Sequence, residues 1–155
     1  MKKILITGAS GGIGSSIVEK FIEKKFKLIL TSSSNTTLEI LREKYGNDHF
    51  YYNLNFNDIS NFEKILKQIA IDHSDLDVIV NNAGITDDAI LLRMKTEQWE
   101  KVIQANLSSN FVIVKNLLPN MIKNKKGNII GISSVVATSG NPGQSNYVAA
   151  KSGMI

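Results

Sequence analysis

The chain has 155 residues, 43% of them hydrophobic and 21% charged, with only two prolines. That length holds one domain with a sizeable core, residues 1–155 as a single unit, and the composition excludes a disordered or low-complexity polymer. The net charge of +4 comes mainly from lysines on helical faces, without the aromatic interleaving of a nucleic-acid site, and the absence of cysteine excludes disulfide frameworks and thiolate metal sites.

Met1-Lys2-Lys3 ahead of Ile4-Leu5-Ile6 has the charge order of a secretory leader, but the apolar stretch is too short and Thr7-Gly8 interrupts it. No run reaches the length of a membrane span, so the chain reads as cytoplasmic. Residues 3–7 form an apolar strand, followed by a helix over 12–25. A second strand covers 27–31, a helix 36–45, and a third strand 49–54. The next helix opens on Ser60-Asn61-Phe62-Glu63, a capping-box pattern, and runs to 73. Residues 76–80 are a fourth strand. Thr96 caps helical sequence that continues, with interruptions, to 123; Pro119 should kink it or mark its last turns. Residues 127–133 are a fifth strand, apolar enough to be covered on both faces, and a last helix starts near Ser145. Such alternation specifies an α/β chain with a doubly wound parallel sheet, since parallel neighbours need crossover helices, and right-handed ones.

The turn after the first strand reads Thr7-Gly8-Ala9-Ser10-Gly11-Gly12-Ile13-Gly14. A pyrophosphate sits well at a helix N-terminus, where unpaired N–H groups and the helix dipole favour negative charge. Side chains at Gly8 and Gly12 would keep phosphates away, and Gly14 lets the helix approach the strand. The spacing differs from the usual G-x-G-x-x-G. The second strand ends in Ser32-Ser33-Ser34, with no carboxylate to accept bonds from a ribose 2′-hydroxyl. Hydroxyls donate to a 2′-phosphate that a carboxylate would repel, so NADP(H) is the cofactor expected.

Tyr147 and Lys151 are spaced i, i+4 and project from one helical face. A nearby ammonium stabilises a phenolate, which allows a tyrosine to exchange protons with a carbonyl or alcohol oxygen. Ser134 follows the fifth strand and Asn81-Asn82-Ala83-Gly84 leaves the fourth, both at the carboxyl edge where open parallel sheets bind ligands. Asn106 interrupts a helical stretch.

Together these residues resemble the short-chain dehydrogenase/reductase pattern. The stretches Asn81-Asn82-Ala83-Gly84-Ile85-Thr86, Leu92-Arg93-Met94-Lys95, Asn106-Leu107-Ser108-Ser109, Ser134-Val135-Val136 and Gly143-Gln144-Ser145-Asn146-Tyr147 are similar to those of the 3-oxoacyl-[acyl-carrier-protein] reductases. The resemblance implies a Rossmann-like, three-layer α/β/α fold. It implies that Tyr147 is the general acid, that Lys151 lowers its pKa and binds the nicotinamide ribose, that Ser134 orients the substrate carbonyl with Tyr147, and that Asn106 holds a relay water. It further implies that Gly8, Ser10, Gly11, Gly12, Ile13 and Gly14 line the pyrophosphate and that Ser33 meets the 2′-phosphate. Asn55 and Phe56 would flank the adenine, and Asn82, Ala83 and Gly84 the ribose.

Family chains run on past this one, so the resemblance implies that the last strands and helices are lacking, that the tetramer of the full-length family form depends on them, and that this chain alone is inactive. NADP-preferring relatives often carry a basic residue where Gly11 stands, which leaves Ser32–Ser34 to meet the phosphate. Acyl-carrier protein is the implied partner, docking on the basic cluster Lys123, Lys125 and Lys126. Competing readings are a reductase of another small carbonyl or alcohol, and a non-catalytic nucleotide-binding module. A methyltransferase-like nucleotide fold is disfavoured by Ser134, Tyr147 and Lys151.

Overall fold

Alternate strand residues point to opposite faces, and both faces here are apolar. In the computed structural model, which describes residues 2–155 and so leaves Met1 of the basic start outside, five short strands form the sheet. They are β1 (Lys3–Ile6), β2 (Lys27–Ser32), β3 (Phe50–Asn53), β4 (Val78–Asn81) and β5 (Asn128–Gly131). All pairings are parallel, in the order β3-β2-β1-β4-β5. Leu5, Ile29 and Ile79 face one side, against α3 (Ile59–Asp72) and α5 (Ser109–Lys123). Ile4, Ile6, Leu28, Leu30 and Val80 face the other, against α1 (Gly12–Glu23) and α2 (Asn35–Tyr45). Two apolar layers on one sheet make the three-layer α/β/α sandwich that the strand–helix alternation implied. Chain order reverses between β1 and β4, which opens a crevice at their carboxyl ends.

Several boundaries differ from the sequence reading, for local reasons. Helix α3 starts earlier than Ser60, because the Asp58 carboxylate accepts from the Asn61 N–H and the Ser60 hydroxyl, both at 3.1 Å. Thr96 is the first residue of α4 (Thr96–Ile103) rather than its cap; the Gln98 side chain closes that end by accepting from the Lys95 N–H at 3.0 Å. A π turn at Gln104–Ser108 separates α4 from α5, and α5 continues through Pro119, which marks its last turn. Two short pieces had no periodic signal: the 3₁₀ turn Leu91–Arg93 and α6 (Val136–Ser139). The final helix, α7, spans Ser145–Ser152. Strand β5 is shorter than expected and lies at the sheet's edge, paired only with β4, so Ile129 and Ile130 stay 45% and 43% exposed instead of covered.

The basic cluster lies at the amino edge of the sheet, opposite the crevice, between α5 and β5. All three lysines are exposed, and Lys126 pairs there with Asp77 at 2.8 Å.

His73, at the end of α3, is buried. Its Nε2 meets the Tyr52 hydroxyl at 2.9 Å, that hydroxyl donates to Asp72, and Nδ1 has no partner. Burial, then the charge of Lys3, pushes its pKa below the ordinary value, and Asp72 and Asp75 only partly offset this. Burial likewise lowers His49, whose Nδ1 accepts from the Leu28 N–H at 3.3 Å. Both rings are thus held neutral in the fold, and the unfolded chain binds more protons just below the free imidazole value. Stability is therefore expected to be constant above pH of about 6.5 and to fall as the pH drops below it. Urea melts between pH 7.5 and 5 would check this, with His73→Gln flattening the dependence; an unchanged midpoint across that range would contradict it.

Candidate functional site

The glycine turn is shaped partly by the protein and partly by what it leaves open. Gly8 has φ +64°, and a Cβ there would lie 2.9 Å from the Ala83 Cα. A Cβ on Gly14 would overlap the Gly8 carbonyl oxygen and sit 2.8 Å from the Asn82 Nδ2. At Gly12 nothing lies within 4 Å, so any requirement for glycine there comes from a ligand. No side chain caps α1 at Gly11, which leaves its first N–H groups without a side-chain acceptor.

Thr7 and Asn82 lock this turn to the fourth strand. The buried Thr7 hydroxyl accepts from the Asn82 and Ala83 N–H groups, both at 3.0 Å. The Asn82 side chain donates back to the Thr7 carbonyl at 2.9 Å and the Gly8 carbonyl at 3.1 Å. Thr7 had no role in the sequence reading; a buried hydroxyl at the end of an apolar strand was the available signal.

Asn106 fixes the next part of the wall. Its Oδ1 accepts from the Ile85 N–H at 3.1 Å, and its Nδ2 donates to the Ile85 and Val102 carbonyls at 2.9 and 2.8 Å. That side chain is fully used in clamping the segment after β4, and a Cβ on Gly84 would overlap its Oδ1. The Asn106 carbonyl, in the π turn, accepts from Asn110 Nδ2 at 2.7 Å.

Lys151 is buried, with Nζ donating to the Ile132 carbonyl at 2.7 Å and lying 5.8 Å from the centre of the Tyr147 ring. Burial pushes its ammonium pKa down, while the carbonyl dipole supports the charged form. The Ser133 hydroxyl donates to the Lys151 carbonyl at 2.8 Å, anchoring the end of α7. Ser134 sits one residue beyond; its hydroxyl accepts from the Val136 N–H at 3.4 Å, and Ser133 rather than Ser134 lines the crevice.

The crevice at the β1/β4 reversal has a volume of about 560 Å³, within the range of small-molecule and cofactor sites. The whole turn from Gly8 to Gly14 except Ala9 lines it, with Ser33, Asn55, Phe56, Asn82, Ala83 and Gly84 along its length and Tyr147 and Lys151 at one end. Phe56 is braced against Phe62 at 5.4 Å between ring centres, and the Asn55 Oδ1 accepts from the Asn57 N–H at 3.0 Å. Ser32 and Ser34 spend acceptor capacity locally, on the Ser34 and Thr37 N–H groups at 3.4 Å each, whereas Ser33 is exposed. Asn106 stands behind the wall rather than in it. An open glycine turn against an uncapped helix, continuous with a polar wall that ends in tyrosine and lysine, fits an extended phosphate-bearing dinucleotide. Among the described residues no group of His, Asp and Glu could hold a metal ion, and no helix is long and apolar enough to cross a membrane.

Fold and site together define a dinucleotide-type α/β protein with a Tyr–Lys pair in its crevice. The short chain dehydrogenase family model matches residues 2–155, and the chain belongs to that family. It is 42% identical over 154 residues to the 3-oxoacyl-[acyl-carrier-protein] reductase FabG of Escherichia coli, covering 99% of this chain and 63% of that one. The FabG of Haemophilus influenzae is also 42% identical, with 99% and 64% covered, and that of Buchnera aphidicola is 40% identical over 150 residues. The chain therefore spans about 63% of the length of these curated relatives. A crystal structure of a short-chain dehydrogenase from Streptomyces avermitilis superposes with a TM-score of 0.90 at 25% identity, over 99% of this chain and 56% of that one.

Proposed function

We propose that this protein reduces the keto group of 3-oxoacyl thioesters borne on acyl-carrier protein, with NADPH as reductant, as a step of fatty acid biosynthesis. The observation that carries it is the meeting of Tyr147, Lys151 and the glycine turn in one crevice, in a chain 42% identical to 3-oxoacyl-[acyl-carrier-protein] reductases. A cytoplasmic location and a homo-oligomeric, tetrameric working form go with this function.

The nicotinamide, when bound, supplies the hydride that the carbonyl carbon receives. The chain's own residues do the rest. The N–H groups opening α1 hold the pyrophosphate, and Ser33 donates to the 2′-phosphate. Ser134 orients the carbonyl. Tyr147 gives its proton to the carbonyl oxygen as the hydroxyl forms, and the Lys151 ammonium stabilises the phenolate left behind. Asn106 acts from behind the wall, its side chain holding the Ile85 segment in place.

Equilibrium titration with both nucleotides tests the cofactor. NADPH should bind on the order of tenfold more tightly than NADH, the worth of about one charge-assisted hydrogen bond. Equal affinities or a preference for NADH would overturn that assignment. The substrate is tested in the full-length family form by following NADPH oxidation with an acetoacetyl thioester; bound NADPH that no 3-oxoacyl thioester consumes would overturn it.

A further inference from the structure

We propose that Asn146 is a positioning residue that holds Tyr147, independently of Lys151, at its working distance from the opposite wall of the crevice. Asn146 is completely buried, and both its amide nitrogen and its amide oxygen are hydrogen-bonded. Its Nδ2 donates to the Asp87 carbonyl at 3.0 Å and the Gln98 carbonyl at 3.2 Å. Its Oδ1 accepts from the Tyr147 N–H at 2.8 Å, the place of the side-chain cap that Gln144 does not supply. One amide thus ties the first turn of α7 both to the segment that descends from the crevice wall and to α4.

The receiving end is itself braced. The Asp87 carboxylate accepts from Gln98 Nε2 at 2.6 Å and from Lys101 Nζ at 3.1 Å. The Asp87 carbonyl is therefore a fixed point, and it lies just past Ile85 and Thr86, which line the crevice. The other half of α7 is anchored elsewhere. Lys151 donates to Ile132, Ser133 donates to the Lys151 carbonyl, and Ser152 donates to Ala137. The helix therefore has two separate tethers. The one near Lys151 goes to the end of β5; the one near Tyr147 goes through Asn146. The remaining links at that end, Gln144 to Asp88 at 2.9 Å and the Ala89 N–H to the Gly143 carbonyl at 2.9 Å, are in loops at the rim.

Loss of the Asn146 tether frees the Tyr147 end while Lys151 and the glycine turn stay in place. This inference rests on the assignment of Tyr147 as the proton donor, and its test separates the two. Asn146→Asp keeps the shape but puts an oxygen in place of Nδ2, facing two carbonyls, and Asn146→Ala removes the tether altogether. With either variant, in the full-length family form, kcat per nucleotide-binding site should fall by on the order of 10²-fold, the effect of a misplacement near 1 Å. NADPH affinity and KM for the thioester should change by less than about threefold, and Gln144→Ala, at the rim of the same joint, should stay within about twofold. A merely structural role would instead lower the number of binding sites and leave the remaining ones with normal kcat. Amide hydrogen exchange needs no turnover: Val148 should lose protection in Asn146→Ala while Gly153 keeps it. Normal kcat per site in both variants, loss of NADPH binding in parallel with kcat, or uniform loss of protection along α7 would overturn the proposal. If Tyr147→Phe were fully active, the proton-donor assignment would fail, and the exchange result would still decide whether Asn146 holds that end of the helix.

Discussion

In the full-length family form, Tyr147→Phe should lower turnover by about 10²–10⁴-fold, the range for loss of a general acid, with NADPH binding nearly unchanged. The phenyl ring keeps the shape of the side chain, so the change removes the hydroxyl and little else. Lys151→Ala should behave differently. Its ammonium is buried against the Ile132 carbonyl and lies 5.8 Å from the Tyr147 ring, so removing it withdraws charge from the reacting end and contact from the cofactor wall together. Both nucleotide affinity and turnover should fall, and Lys151→Arg should not restore them, because a planar guanidinium does not fit a site built around a compact ammonium. Steady-state kinetics with NADPH titration on each variant would check the pattern. Near-normal reduction of a 3-oxoacyl thioester by Tyr147→Phe would remove the proposed mechanism.

Gly14→Ala and Gly12→Ala should have opposite consequences, although the two glycines stand two residues apart. At Gly14 the added methyl overlaps the Gly8 carbonyl and presses on Asn82 Nδ2, backbone and a committed amide that have nowhere to move. The expected cost is about 1–3 kcal/mol, as for overpacked cores, or roughly 3–10 °C in Tm for a chain of this size. At Gly12, the first residue of α1, the methyl meets nothing within 4 Å. There alanine should hold or slightly raise Tm, since glycine costs about 0.5–1 kcal/mol in a helix relative to alanine. Nucleotide affinity should nevertheless drop, because the only atoms the methyl can meet are those of a ligand. Thermal melts paired with NADPH titrations separate the two. Equal affinity in Gly12→Ala and the unaltered protein would show that the turn does not carry the phosphates.

Period and spacing were enough to read the doubly wound sheet, the glycine turn and the Tyr147–Lys151 face from the chain alone. Those signals are local: a strand's alternation, a helix's i, i+4 geometry and the absence of a carboxylate after β2 each lie within a few consecutive residues. The helix starts were less legible. Asp58 and Gln98 win the caps of α3 and α4 through side-chain geometry that several neighbouring polar residues could equally have offered. Tertiary structure alone decided three things. It separated Gly14, crowded by Gly8 and Asn82, from Gly12, which is open, because the difference depends on what the opposite strand brings near. It spent the Asn106 side chain on Ile85 and Val102, where a residue in a helical break had been assigned only to water. It also joined Asn146 to Asp87, 59 residues away in the chain. Contacts across such separations leave no periodic trace in a sequence, since they exist only once the sheet has brought the ends of β4 and β5 to the same edge.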